Sequence, residues 1–299
     1  IKDDLDHVKE DILSQQVDIV AFSCYIWNIE KIGQLCRLLK QAKPNIVIIL
    51  GGPEVTYEPQ YFLENLPIDY VMSGEGEQTF PMLLGQIEAH GPISVCGVSY
   101  PGFISQEVSQ ADIAYIEQLA SPYNLPQDIK DKANRILYFE TSRGCPFQCQ
   151  YCLSSLEKGL RFFSKTYLEK QLDIVIHSGA KTVKLLDRSF NASVQHALFI
   201  LDYLFRNYQE GQQFQFEINA DVLQQPIIDF IRDNAPQGLL RFEIGIQSTY
   251  EPTNKAVKRI QNFQRLSEVV EQLMKDNKCD LHLDLIAGLP YESYERFAQ

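Results

Sequence analysis

Cys145-Pro146-Phe147-Gln148-Cys149-Gln150-Tyr151-Cys152 puts three thiols on one short loop in the pattern C-x3-C-x2-C. The loop follows an apolar run, residues 136–140, of strand type, with Thr141-Ser142-Arg143-Gly144 as the turn between them. Thiolates are soft ligands suited to iron–sulfur clusters. Three on one loop can wrap one set of irons and leave a fourth iron without a protein ligand. An open coordination position is what a substrate-binding metal centre keeps. A structural zinc site would want four ligands in two pairs. The second pair is missing beside the loop, and only the distant Cys279 or His282 would complete it. Structural cysteines crowded together by coincidence are the bland alternative.

Outward from this loop toward the carboxyl end, strands and helices alternate. Residues 182–186 predict a strand ending at Asp187-Arg188, and residues 214–218 one ending at Asn219-Ala220-Asp221. Residues 240–246 predict a strand carrying Glu243 and followed by Gln247; residues 282–286 predict another ending at Ala287-Gly288-Leu289-Pro290. Helical spacing fills the intervals, for example over 168–177 and 263–275. Such a repeat places its chemistry at the carboxyl ends of the strands.

Toward the amino end the same alternation recurs. Leu5, Val8 and Ile12 mark a helix, 17–23 a buried strand, and Ile29, Ile32, Leu35, Cys36 and Leu39 a second helix. Residues 45–50 predict a strand ending at Gly51-Gly52, 57–66 a helix, and 69–72 a strand ending at Gly74-Glu75-Gly76-Glu77. A helix over 79–89 and a last strand over 94–100 follow. The pattern predicts a parallel α/β sheet, whose ligands sit beyond the carboxyl ends of its strands. Glycines there let a flat group approach the backbone; equally, each pair can simply make a tight turn. Residues 106–135, richer in polar and turn residues such as Ser121-Pro122-Tyr123 and Leu125-Pro126, predict a linker between domains at 1–105 and 136–299, or a strap across the second.

The chain has 299 residues, 45% of them apolar, enough for about two ordinary cores. Its formal charge of −12 gives no general attraction for phosphate backbones, so nucleic acid is not an expected partner. No apolar run is long enough to cross a bilayer, and seven cysteines, three of them clustered, do not form a secreted disulfide framework. The cytoplasm is the simplest expectation. A chain that opens on Ile1, inside a helical pattern, and stops just after a strand and turn reads as a fragment.

The cysteine loop resembles the C-x3-C-x-aromatic-C signature of the radical SAM superfamily, and residues 136–299 resemble that family's partial (β/α)6 barrel with its last strand missing. The resemblance implies a 4Fe–4S cluster on Cys145, Cys149 and Cys152, with S-adenosylmethionine chelating the open iron. Reductive cleavage would then give methionine and a 5′-deoxyadenosyl radical. It implies that Tyr151 borders the adenine and that Asp187 and Arg188 stand where a Gly-Gly-Glu-like stretch meets the methionyl amino group. The glycines of that stretch are absent here. It implies ribose and carboxylate contacts from Glu217, Asn219, Glu243 and Gln247, and an adenine-facing segment around Ile286 and Gly288. Each of these residues also reads as an ordinary polar strand end or ion pair.

Ser23 followed by Gly51-Gly52 resembles two motifs of cobalamin-binding domains, which implies an incomplete flavodoxin- or Rossmann-like domain with Ser23, Gly51, Gly52, Gly74, Glu75 and Gly76 toward cobalamin. The family's Asp-x-His-x-x-Gly motif for the axial ligand does not occur in this chain. Together the two resemblances imply a cobalamin-dependent radical SAM enzyme, with methyl transfer as the leading reaction and a reduced donor such as flavodoxin or ferredoxin. One alternative is a methylthiotransferase-like tRNA-modifying enzyme, which would want three further cluster cysteines where only the scattered Cys24, Cys36 and Cys96 occur. Another is a cobalamin- or metal-binding sensor without turnover.

Overall fold

The computed structural model describes residues 4–125, 131–157 and 159–298. Ile1, and residues 126–130 of the expected linker, including Pro126, lie outside the described residues. The chain divides into two compact units, Ile1–Ile116 and Glu117–Gln299.

In the first unit β1 (Ile19–Ser23), β2 (Val47–Gly51), β3 (Tyr70–Met72) and β4 (Val98–Ser99) form one sheet in the order β1-β2-β3-β4. The helix Ile29–Ala42 buries Ile32, Leu35, Cys36 and Leu39, a stripe at helical spacing. That stripe packs with Ile48, Leu50 and Val71. Ile49, Met72, Leu83 and Val98 form a second cluster. Burial of Ile48, Ile49 and Leu50 in succession is what a central parallel strand between two layers requires. β1, β2 and β3 pair in parallel as expected, but β4 runs antiparallel to β3. The expectation of an all-parallel sheet fails there. After the helix Thr79–Glu88, residues 89–97 carry the chain back to the carboxyl end of β3, where Ser73 N–H donates to the Gly97 carbonyl (2.8 Å), so the short last strand starts from the wrong end to run parallel.

The expected linker is no free tether. Ser109 N–H donates to the Ser73 carbonyl and Glu75 N–H to the Ser109 carbonyl, both at 2.9 Å, so the stretch around 105–111 is laced to the end of β3. Its later part belongs to the second unit. There Glu117 accepts bonds from the Ser164 backbone (2.5 Å) and hydroxyl (2.9 Å), at the start of the helix Lys165–Ile176.

In the second unit β5 (Leu137–Phe139), β8 (Thr182–Leu185), β9 (Gln213–Ile218), β10 (Leu240–Gln247) and β11 (Cys279–Leu285) form a five-stranded sheet, every neighbouring pair parallel, in the order β11-β10-β9-β8-β5. Two further short strands, β6 (Ser142–Arg143) and β7 (Arg161–Phe162), pair antiparallel. The Tyr123 hydroxyl covers the outer edge of β5, donating to the Tyr138 carbonyl and accepting from its N–H at 2.7 Å each. That satisfies two groups of an otherwise open edge.

β8 and β9, and β10 as far as Ile244, alternate strictly. Val183, Leu185, Phe214, Phe216, Ile218, Leu240, Phe242 and Ile244 are buried, while Lys184, Gln215, Glu217, Arg241 and Glu243 point the other way. The helices Lys165–Ile176, Val194–Asn207, Gln225–Asn234 and Phe263–Asp276 each bury an apolar stripe and supply the layer for the first face. A parallel sheet with helices on both faces would be apolar on both. The polar second face therefore marks the concave interior of a partial barrel. Phe216, touching Phe190 and Phe242 with ring centroids 4.5 and 5.8 Å away, is central to the covered face. Phe216→Ala should lower stability by about 3–5 kcal/mol in urea unfolding; a loss under about 1 kcal/mol would place that ring outside the core.

Candidate active site

The ribbon of β6 and β7 pinches together the two ends of the loop that carries the cysteines. Gly144, at φ +88°, begins the loop where a Cβ would lie 2.0 Å from the Gly159 carbonyl oxygen, so no other residue fits. Inside the loop Cys152 N–H donates to the Cys149 carbonyl (3.0 Å) and Ser155 N–H to the Cys152 carbonyl (3.1 Å).

One buried carboxylate holds the entrance. Asp187, with no exposed surface, accepts from the Thr141 backbone N–H (2.9 Å), the Thr141 hydroxyl (2.6 Å) and the Ser142 hydroxyl (2.5 Å). Burial pushes its pKa up, and the Ser142 and Thr141 hydrogen bonds pull it back. Because the Thr141 hydroxyl gives its proton to Asp187, it accepts from His196 Nε2 at 2.7 Å, which fixes the proton on that nitrogen. Burial holds the His196 pKa down at about 4, so the ring is neutral at ordinary pH.

Cys145, Cys149 and Cys152 line one cavity of about 290 Å³, together with Phe147, Tyr151, Arg188, Glu217, Asn219, Glu243, Gln247, Arg259 and Asp284. Burial raises the Cys145 thiol above its ordinary pKa. Among the described residues no three His, Cys, Asp or Glu side chains converge on a single ion. A cluster asks for something different, since each thiolate meets a different iron, and three thiols around one cavity fit that demand. The single-ion zinc reading finds no support: Cys279 opens β11, with its thiol pushed up to about 12 by burial, and His282 pairs with Asp284 at 3.1 Å. Cys24 and Cys36 are buried and Cys96 is exposed in the first unit, so they form no second cluster set.

The interior face supplies the charges. Glu217 and Glu243 are direct partners across β9 and β10, a repulsive placement for like charges. Lys184 relieves it, 2.7 Å from Glu243 and 3.9 Å from Glu217. Burial raises the Glu217 pKa, with Arg188 and Lys184 opposing. Gln247 reaches the cavity from a register shift in β10 and a left-handed φ of +65°. Bulges of this kind re-aim side chains beside active sites.

Most of the expected S-adenosylmethionine residues therefore meet in the cavity: Tyr151, Arg188, Glu217, Asn219, Glu243 and Gln247. Three do not line it. Asp187 is turned into the Thr141–Ser142 network and can offer a ligand nothing, while Ile286 and Gly288 lie beyond the lining, Ile286 giving its N–H to the Gln247 carbonyl at 2.9 Å. Sequence reasoning overlooked Arg259 and Asp284. Asp284 was legible from the alternation along β11; Arg259 follows a short helix, Glu251–Ala256, and carries no sequence signal.

In the first unit Ser23 and Gly51 are register partners at the carboxyl ends of β1 and β2, with the Ser23 side chain exposed. Beside them Tyr25 and Trp27 stack at 4.5 Å, and Trp27 is 69% exposed. At the end of β3 a cavity of about 660 Å³ is lined by Thr56, Tyr57, Tyr61, Ser73 and residues 104–108, and the buried Ser73 hydroxyl has no hydrogen-bond partner among the described residues. Small residues, an exposed flat aromatic pair and an orphaned hydroxyl fit a large ligand with apolar faces and polar edges. Four of the expected contacts have other duties. Gly52, at φ +102°, faces the Cys24 backbone, where a Cβ would lie 2.7 Å from its carbonyl oxygen. Gly74 and Glu75 lie where the chain meets its own Ser109 and Ala111, the Ala111 N–H donating to the Glu75 carboxylate at 2.9 Å, and the Gly76 carbonyl accepts from the Phe80 N–H at 2.8 Å.

The family model of the B12 binding domain matches residues 2–84, and that of the Radical SAM superfamily residues 139–299. The chain is 27% identical to the cobalamin-dependent radical SAM methyltransferase TokK of Streptomyces tokunonensis, over 94% of this chain and 44% of that protein. It is 30% identical to the 2-(S-pantetheinyl)-carbapenam-3-carboxylate methyltransferase of Streptantibioticus cattleyicolor, over the same shares, 94% and 44%. The chain thus spans less than half the length of these curated relatives. Its fold is that of the cobalamin-dependent S-adenosylmethionine radical enzyme OxsB with aqua-cobalamin bound, at a TM-score of 0.78 and 20% identity over 95% of this chain and 43% of that one. The radical S-adenosylmethionine methyltransferase TsrM from Kitasatospora setae superposes with a TM-score of 0.78 at 13% identity, over 99% of this chain and 61% of that one. A radical SAM domain implies a 4Fe–4S cluster and S-adenosylmethionine, and the B12-binding domain supports cobalamin.

Asp187→Ala should strand three donors and lower stability by about 2–4 kcal/mol in urea unfolding, with Asp187→Asn milder; an unchanged midpoint would remove the clamp. A histidine whose folded pKa lies below its ordinary 6.5 is stabilising above that value, and the stability is lost as pH falls toward about 4. The melting temperature should fall over that window, and less steeply in His196→Gln.

Proposed function

Because the chain belongs to the radical SAM superfamily, we propose that it carries the cofactor-binding part of a cobalamin-dependent radical SAM enzyme, with methyl transfer as its reaction. The observation that carries this reading is that Cys145, Cys149 and Cys152 line one cavity with Arg188, Glu217, Asn219, Glu243 and Gln247. When bound, the cluster supplies one electron to the sulfonium of S-adenosylmethionine, and cobalamin supplies a methyl carrier.

The protein's own part is to bind, orient and exclude water. Cys145, Cys149 and Cys152 would hold the cluster, with S-adenosylmethionine bound beside it in the same cavity. Glu217, Glu243 and Asn219 offer acceptors to the ammonium and ribose, Arg188 offers a cation to the carboxylate, and Tyr151 and Phe147 offer apolar surface to the adenosyl group. Lys184 keeps the paired glutamates from repelling each other, so both remain available as acceptors. In the first unit Ser23 and Gly51 form the slot for the cobalamin tail, with Gly52 and residues 74–76 shaping its walls through the backbone.

Radical SAM enzymes need a reductant and a substrate. We take the reductant to be a reduced flavodoxin or ferredoxin in the cytoplasm. Among the described residues no helix is long and apolar enough to cross a membrane.

The test is anaerobic reconstitution with iron and sulfide, reduction, and EPR with and without S-adenosylmethionine, followed by assay of 5′-deoxyadenosine. A 4Fe–4S signal that shifts with S-adenosylmethionine is expected, and Cys149→Ala should lose bound iron and cleavage together. Unchanged iron and sulfide in that variant would sink the assignment. Cobalamin is tested separately by hydroxocobalamin uptake, read from visible absorption after gel filtration. At Gly51 the nearest described atom a Cβ would meet is that of Met72, at 3.8 Å, so Gly51→Val should fill the slot, abolish uptake and leave iron content unchanged.

A further inference from the structure

Gly245 is a glycine that its own backbone does not require. It lies within β10 and has no left-handed φ, so an alanine would suit its main chain. The register of the sheet sets it beside Asp284 of β11, and both line the cavity that holds the three cysteines. What excludes a side chain there is Gln247. A Cβ on Gly245 would lie 2.0 Å from Gln247 Nε2 and 3.1 Å from its Cδ; the three nearest atoms, its chain neighbours aside, all belong to that side chain. The shift of register between the two residues and the left-handed φ of +65° at Gln247 fold the carboxamide back over the bare Cα. The main chain around the pair is pinned. Arg259 donates one terminal nitrogen to the Gly245 carbonyl and the other to the Tyr151 hydroxyl, the latter at 3.2 Å. Ile286 N–H donates to the Gln247 carbonyl at 2.9 Å, and Ser248 N–H to the Ile246 carbonyl at 2.8 Å. The buried Ser248 is tied in turn, its hydroxyl donating to Glu292 at 2.6 Å and its carbonyl accepting from the Asn254 amide at 2.9 Å. With the backbone held on both sides, the Gln247 side chain is the part that can give way.

We propose that Gly245 is a positioning residue: its missing side chain is the seat on which the Gln247 carboxamide rests, and that seat presents the amide to S-adenosylmethionine. The inference rests on the reading of the cavity given above. A carboxamide carries two donors and an acceptor. Among the described residues this one makes no hydrogen bond within the chain, so all of them face the cavity unused. An amide already seated has lost its rotamer freedom before the ligand arrives, which lowers the cost of binding. A methyl group on Gly245 would displace the amide and leave the pinned main chain where it is.

The experiment measures S-adenosylmethionine binding by equilibrium dialysis, on anaerobically reconstituted protein left unreduced so that no cleavage enters the readout. Gln247→Ala should weaken binding roughly 3- to 10-fold, the worth of about one hydrogen bond. Gly245→Ala should weaken it by a comparable factor. The double variant should bind no more weakly than Gln247→Ala alone, because with the amide gone the seat has nothing to hold. Iron content should match the wild type in all three variants, and their melting temperatures should stay close to it. Wild-type affinity in either single variant overturns the proposal. So does a Gly245→Ala loss that persists in full without Gln247, which would mean that the methyl group meets the ligand itself. A Gly245→Ala protein that loses its iron or melts far lower overturns it as well, since a free side-chain end would have made way without harm to the fold. Wild-type protein that holds iron yet binds no S-adenosylmethionine would instead overturn the reading of the cavity, and the proposal with it.

Discussion

A single buried carboxylate couples the sheet to the loop that carries the chemistry. Asp187, two residues past the end of β8, accepts three hydrogen bonds from Thr141 and Ser142, which begin the path from β5 into the cysteine loop. A carboxylate without solvent is tolerable only when its lone pairs are filled, so its position and theirs are mutually determined. His196 extends the constraint to the helix Val194–Asn207 through the Thr141 hydroxyl. The loop is long and has few apolar anchors of its own. Without that fixed root its three sulfurs would have no reason to share one cavity, and pre-organised thiols are what let a cluster bind without ordering the loop anew.

The second constraint is the alternation of the barrel strands. One face of β8, β9 and β10 is apolar and covered by helices, which fixes the register of each strand, because a slip by one residue would put Phe214, Phe216 and Phe242 in the interior and Glu217 and Glu243 under the helices. The polar face is then committed to the cavity whether or not its charges like each other. Glu217 and Glu243 oppose each other directly, and Lys184 from the adjoining strand offsets the repulsion. A frustrated pair kept in register at strand ends is the kind of local inconsistency that functional sites retain.

The sequence made the strands legible because their alternation and length are local properties. β9 and β10 were placed within a residue or so of where they fold. The cysteine loop was legible for a different reason: three thiols at that spacing have few structural uses. What escaped was everything that depends on long-range pairing. Nothing local distinguishes Asp187, which turns inward to Thr141, from Arg188, which turns into the cavity, since both stand at the same strand end. Arg259 reaches the loop only because β10 and the helix after it bring residue 259 beside residue 151, a contact 108 positions apart in sequence. The antiparallel β4 and the stitching of residues 105–111 onto β3 are of the same kind.

The first unit shows how a motif can be right in place and still mislead about its reason. Gly-Gly at the end of β2 reads as room for a ligand. Yet Gly52 is needed because the Cys24 backbone lies against it, and Cys24 N–H donates to the Gly51 carbonyl at 2.7 Å, continuing the β1–β2 ladder by one more bond. The strand end is thereby drawn in tight at Gly52 and left open at Gly51, next to Ser23. Crowding at one glycine and space at its neighbour are two sides of one packing solution: the turn that closes on Cys24 holds Ser23 and Gly51 side by side as register partners.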